Sequence, residues 1–219
     1  MIGRFGASRV NELLPAGQRY LANASSLNLA AAFGAEHSLA GLEAVLTVSF
    51  RTLVELTLGG PAVWDLDQAW LRRQYALKDY PPRHAPHTWH QDGALGFDFA
   101  APGANEPGPD ALLPMVTCWL PLNPCGRDAP GLELIARRVT RLLPVIALRD
   151  EYLRATFPLE AFWRPVLKPG DALLFEGGTL HRTFVTPEMA SDRTSIEFRF
   201  FRADGIPARL AGDRFIPLG

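Results

Sequence analysis

A change of hydrophobic period near Gln68 constrains the fold of this chain more than any other feature. Before it, Leu39, Leu42, Leu46, Phe50 and Leu53 recur at helical spacing behind Ser38, a residue suited to an N-cap, and Gly59-Gly60-Pro61 stops the run. Beyond it the period is two. Ala69, Leu71, Tyr75 and Leu77 fall on one side of an extended segment ending at Tyr80-Pro81-Pro82, which marks a first core strand from about Gln68. In residues 193–201, Thr194, Ile196, Phe198 and Phe200 alternate against Arg193, Ser195, Glu197 and Arg199. A chain of 219 residues suits one well-buried core, so the expectation is a single domain over 1–219, with a helical buttress over 1–60 and a β core over about 68–202.

The nineteen Gly and nineteen Pro punctuate short apolar runs, as in a turn-rich, mainly β architecture. Residues 115–122 read as a buried strand closed by Asn123-Pro124, and 131–136 as its antiparallel partner after a turn at Asp128-Ala129-Pro130. Later strands are expected over 171–175, 182–185 and 193–201, with a short helix between Asp150 and Phe162. Residues 100–114 are too rich in Pro and Gly for a regular element, and they predict a loop over whatever site residues 89–93 build.

Charge and cysteine content remove several function classes. A net charge of −1 leaves no basic excess to neutralise a phosphate backbone, so a nucleic-acid partner is not expected and a small-molecule substrate is. The apolar stretch 39–58 is broken by Glu43, Arg51 and Glu55, and the first residues lack a signal-peptide core; no membrane association and a cytoplasmic location follow as expectations. Cys118 and Cys125 have no metal-type spacing and read as reduced thiols without chemistry. Oligomeric state is left open by the sequence.

The chemistry centres on His90-Gln91-Asp92 and His181. In an extended segment residues two apart share a face, so His90 and Asp92 can grip one ion while Gln91 faces away, with His181 arriving from a distant strand. Two imidazoles and one carboxylate suit iron(II) and leave three positions for a chelating 2-keto acid and dioxygen. His84 and His87 form a rival His-x-x-His-x-x-His series with His90, but Pro81, Pro82 and Pro86 oppose the helix it needs; in an extended chain His87 points away from His90. His37, in the helical region, reads as exposed.

Trp89-His90-Gln91-Asp92-Gly93, the run from Pro169 to Phe175 leading to Leu180-His181-Arg182-Thr183, and Arg193-Thr194-Ser195 together resemble the phytanoyl-CoA dioxygenase family. The segment Cys125 to Leu132 looks like a turn of its bacterial relatives, and the likeness covers about residues 68–202. The resemblance implies a double-stranded β-helix (jelly roll, cupin-like) with His90, Asp92 and His181 as ligands of Fe(II), and 2-oxoglutarate and O2 as co-substrates. It implies hydroxylation of an unactivated C–H bond with release of succinate and CO2. Desaturation, ring closure or epoxidation at the same centre remain open, as does a cupin-like binding protein without turnover. Halogenating relatives replace the carboxylate with a small residue, whereas this chain keeps Asp92.

Arg193 and Ser195 share a strand face, and a planar guanidinium beside a hydroxyl suits bidentate capture of the distal carboxylate of 2-oxoglutarate. The alternatives are a cross-strand ion pair between Arg193 and Glu197, and Arg182 as the anchor, although Arg182 should face away from the metal. Trp119 lies where the resembled family places an aromatic near the co-substrate, with Thr117 on the same face; Tyr75, Phe97 and Phe99 are candidates for an apolar pocket wall.

Overall fold

The computed structural model describes residues 2–4, 26–29, 47–77 and 85–218. Among them, strands β1 (Ile2–Arg4), β2 (Ser26–Asn28), β3 (Ala62–Gln74), β4 (Met115–Pro121), β7 (Asp171–Glu176), β9 (Arg193–Arg202) and β10 (Phe215–Pro217) form one antiparallel sheet. Its order is β1-β7-β4-β9-β3-β10, with β2 also on β3. Strands β5 (Gly131–Ile135), β6 (Phe162–Trp163) and β8 (His181–Phe184) make a second sheet in the order β6-β5-β8. The sheets face each other: Trp119, Leu173 and Phe175 of the large sheet pack with Leu132 and Leu134 of the small one in a single buried cluster.

Helix α1 (Val48–Leu58) covers the other face of the large sheet. Its buried Phe50 and Val54 join Trp64, Leu71, Ile196, Phe198 and Phe200 in the largest core cluster, with the Phe50 and Phe200 rings 5.5 Å apart. The alternation read in 193–201 therefore separates an apolar face under α1 from a polar face toward the small sheet. Thr47, in extended conformation, caps the helix by accepting the Phe50 N–H, and Gly59 ends it at φ 75°, a left-handed conformation costly for residues with a Cβ.

The expected helix from Ser38 therefore does not run through Thr47; Ser38, Leu39, Leu42 and Leu46, like His37 and His84, lie outside the described residues. Of the expected helical buttress over 1–60, α1 is described, whereas Ile2–Arg4 and Ser26–Asn28 are strands at the margins of the large sheet. These two segments are short, so their period could not be read.

Strand β3 starts at Ala62 rather than near Gln68, because a bulge between Asp65 and Trp70 breaks its alternation. The Asp65 carboxylate fastens that bulge by accepting the Asp67 and Gln68 N–H groups at 3.0 and 3.2 Å. Strand β5 is not the partner of β4. The two stand in different sheets, β4 between β7 and β9, and β5 between β6 and β8, so the turn at 122–130 crosses from sheet to sheet. Burial of both segments could not distinguish a hairpin from a crossing. Helix α2 (Asp150–Thr156) falls within the expected span. Among the described residues no helix is long and apolar enough to cross a membrane.

Candidate active site

The polar inner face of β9, the start of β8 and the 90–92 segment meet between the two sheets. His90 and His181 bond each other's backbone reciprocally, N–H to carbonyl at 3.0 and 3.1 Å, which sets their rings 4.1 Å apart. Gln91 is extended, so its side chain leaves on the opposite side, donating to the Arg141 and Gly178 carbonyls and accepting the Leu143 N–H. Asp92 then opens a short 3-10 turn that returns its carboxylate toward the imidazoles. Gly93 makes this turn possible: it exchanges backbone bonds with Gly177 and Leu113, and a Cβ there would lie 2.6 Å from a Leu112 methyl.

Ligand atoms of His90, Asp92 and His181 lie within 4.8 Å of one another, with Asp92 Oδ1 3.8 and 3.7 Å from the two Nε2 atoms. Each histidine places Nδ1 against a backbone carbonyl, His90 on Thr88 at 2.7 Å and His181 on Thr179 at 3.0 Å, so Nδ1–H donates and Nε2 keeps its lone pair for a metal. Burial, then the neighbouring His90, lowers the His181 imidazole to about 4, keeping it neutral and able to ligate. Burial alone would raise the Asp92 carboxyl; Arg199, both imidazoles and the Thr117 hydroxyl outweigh it and hold the group well below the usual carboxylate range. Thr117 donates to Oδ2 at 2.6 Å and Arg199 to Oδ1 at 3.3 Å. The donor set, two imidazole nitrogens and one fixed anion, fits a divalent first-row metal. His90 is the open side, its side chain 34% exposed against 6% and 5% for His181 and Asp92.

A cavity of about 200 Å³ adjoins this cluster. Arg193 and Trp119 line it, the guanidinium 5.0 Å from the indole ring. Arg193 is buried, donates to the Gly131 carbonyl at 3.2 Å and has no carboxylate partner among the described residues; its Nε is unpartnered, as are Trp119 Nε1 and Ser195 Oγ. Ser195 shares the β9 face with Arg193 but does not line the cavity. These orphaned polar groups fit an anionic ligand that the protein itself does not supply.

Arg182 points out of the small sheet, as its position beside His181 predicts, and pairs with Glu133 at 2.6 Å. Arg193 does not take Glu197; Arg72 does, at 2.8 Å. His87, expected to face away, lines the cavity with its ring 5.7 Å from that of His90, because residues 85–88 are irregular rather than a regular strand. None of residues 100–114 lines the cavity; Leu112 and Leu113 pack under Gly93 and Gly177 instead, so they support the metal turn from behind. Nor do Tyr75, Phe97 and Phe99 line it, the two phenylalanines pairing with each other at 4.9 Å. The sequence reading missed Arg199, which braces Asp92, and Arg72. Arg199 and Glu197 carried a signal in their parity with Arg193; Arg72 carried none without the β3–β9 register.

No protein-family model matches the chain, and no curated protein does. Solved structures do. EctD from S. alaskensis with bound Fe superposes with a TM-score of 0.69 at 15% identity over 94% of this chain and 73% of its own. The epimerase SnoN in complex with Fe3+, alpha-ketoglutarate and nogalamycin RO gives 0.60 at 16% identity over 93% and 78%. AviO1 from Streptomyces viridochromogenes Tue57 gives 0.61 at 17% identity over 94% and 90%. The chain shares the fold of these proteins, two of which are solved with iron.

Proposed function

We propose that the chain is an Fe(II)- and 2-oxoglutarate-dependent dioxygenase of the phytanoyl-CoA dioxygenase type, a single domain on a double-stranded β-helix, hydroxylating an unactivated C–H bond of a small molecule. The observation that carries this reading is the pairing, in one cavity, of a His-Asp-His cluster with a buried guanidinium that has no carboxylate partner among the described residues. Solved relatives in fold that hold iron, and in one case alpha-ketoglutarate, support it. In this reading His90, Asp92 and His181 hold the iron and Arg193 takes the distal carboxylate of 2-oxoglutarate, with Ser195 and Trp119 beside it. Bound iron(II) with the keto acid supplies dioxygen activation, coupled to decarboxylation to succinate and CO2.

The chain's own residues provide orientation and dryness. The Thr88 and Thr179 carbonyls fix both imidazole tautomers, and Thr117 with Arg199 fixes the carboxylate, so the ligands need little reorganisation. The Trp119, Leu132, Leu173 and Phe175 cluster keeps water from one wall. Succinate release on adding iron(II), ascorbate and 2-oxoglutarate tests the proposal; a protein that binds both and releases none above a His181→Ala control is a binding protein instead.

A further inference from the structure

We propose that Arg72 is the substrate-recognising residue of this cavity and that the substrate is a small molecule bearing a carboxylate; the inference rests on iron(II) and 2-oxoglutarate occupying the same cavity. Charge balance motivates it. Among the described lining residues, Arg73 is neutralised by Asp192 at 2.7 Å. That leaves three guanidiniums, of Arg72, Arg193 and Arg199, facing two carboxylates, of Asp92 and Glu197. Iron(II) and the 2-oxoglutarate dianion cancel, and imidazoles that ligate the ion carry no charge, so among the described lining residues one positive charge remains. An uncompensated charge in a mostly buried cavity is costly, so a singly charged anion completes the site.

Position selects Arg72 as its receiver. Arg199 is held by Asp92 at 3.3 Å, and Arg193 stands with Trp119, where the keto acid is placed. Arg72 sits across β3, its Cα opposite Ser195, and lines the cavity with Gln74 and His87, the residue next to the open side of the histidine pair. It donates Nε to Glu197 at 2.8 Å and Nη1 to Ser26 at 3.4 Å; no bond of its other terminal nitrogen is seen among the described residues. Glu197 fixes the guanidinium and also sets specificity by exclusion. An apolar chain laid over a pair exposed by only 19% and 12% would strip it of water without replacing a hydrogen bond.

The test uses the full chain, anaerobic, with iron(II) and 2-oxoglutarate, and a panel of short-chain monocarboxylates, their carboxamides and alkanols of equal length. The readouts are the visible band of the chelated keto acid and the thermal midpoint. At least one carboxylate should shift both saturably, and its carboxamide should bind more than tenfold more weakly. Arg72→Gln should abolish the shift and Arg72→Lys should keep part of it. Since Arg72→Gln leaves Glu197 with one partner fewer, the double variant Arg72→Gln, Glu197→Gln keeps the pair neutral and guards against misfolding of the single one. Equal shifts by carboxamides or alkanols, no shift by any carboxylate, or undiminished carboxylate binding by the double variant would each overturn the assignment. A missing band overturns the iron and 2-oxoglutarate reading, and this inference with it; a band present while the panel fails overturns Arg72 alone.

Discussion

Two arginines in the same two-sheet assembly meet opposite fates. On the outer face of the small sheet, Arg182 pairs with Glu133 at 2.6 Å and Asp150 at 3.0 Å, and lies 4.9 Å from the Trp89 ring. Glu133, itself inaccessible, also takes Arg164 at 2.7 Å, and Arg154 stands 4.0 Å away. Every charge in that group has an opposite within reach, and the guanidiniums keep partial contact with water. On the inner face of the large sheet, Arg193 has a carbonyl, an indole and, among the described residues, no carboxylate. A protein that brings a carboxylate within reach of every guanidinium on one face, where water still touches them, and leaves a buried guanidinium on another without one marks the second place for a ligand.

The largest effect should come from the histidine pair that ends the inner face. His181→Ala removes a proposed ligand without deleting a large core side chain, so iron measured by elemental analysis should fall from stoichiometric to near background while the circular dichroism spectrum is unchanged. Stoichiometric iron in that variant would break the assignment. Next, Arg193→Met should weaken 2-oxoglutarate, titrated anaerobically, by about 2–5 kcal/mol, well over tenfold. The ligand-free protein should lose no stability, since an unpaired buried charge goes with the side chain. Arg182→Ala should do the converse. If it weakens 2-oxoglutarate and Arg193→Met does not, the contrast between the faces is inverted.

Glu133→Gln should lower the urea-unfolding free energy by about 2–3 kcal/mol, a charged hydrogen-bond loss softened by guanidiniums that can turn to water. Iron and 2-oxoglutarate affinities should be untouched. The smallest effect concerns Asp65, a third buried acid, which has a neighbouring carboxyl where Glu133 has guanidiniums. Burial, then Asp213, pushes Asp65 from 3.8 up to about 7. A carboxyl with a raised folded pKa stabilises the fold while protonated, so its contribution is full below about 3.8 and is lost as pH rises through about 7. Thermal midpoints should decline across that window, and Asp65→Asn should flatten the decline.

What the sequence disclosed follows from how locally each feature is encoded. Spacing of two put His90 and Asp92 on one side and Gln91 on the other, and parity along 193–201 separated Arg193, Glu197 and Arg199 from the Phe198 and Phe200 side. Those are properties of one local stretch of chain, a strand over 193–201 and, at 90–92, a single bridge followed by a 3-10 turn. The pairing of β4 with β7 and β9, the hidden start of β3 behind a bulge and the Arg72–Glu197 contact depend on register between distant segments, which residue patterns do not contain. Residues 100–114 are mostly irregular, with a 3-10 turn at Pro109–Ala111 that their composition did not predict, and they stand away from the cavity lining, because composition carries no direction. The β1 and β2 segments were too short to show any period at all.

The reciprocal bonds between His90 and His181 carry one further consequence. They tie together two parts of the chain far apart in sequence through their peptide groups, with no metal in the tie. The imidazoles are therefore held as neighbours by the same hydrogen bonding that holds a sheet, at an entropic cost met during folding rather than on loading. A site made this way should exchange its ion as a vessel exchanges its contents. Chelation and refilling should be reversible with no refolding step, and a foreign divalent ion that enters should find the same geometry as iron.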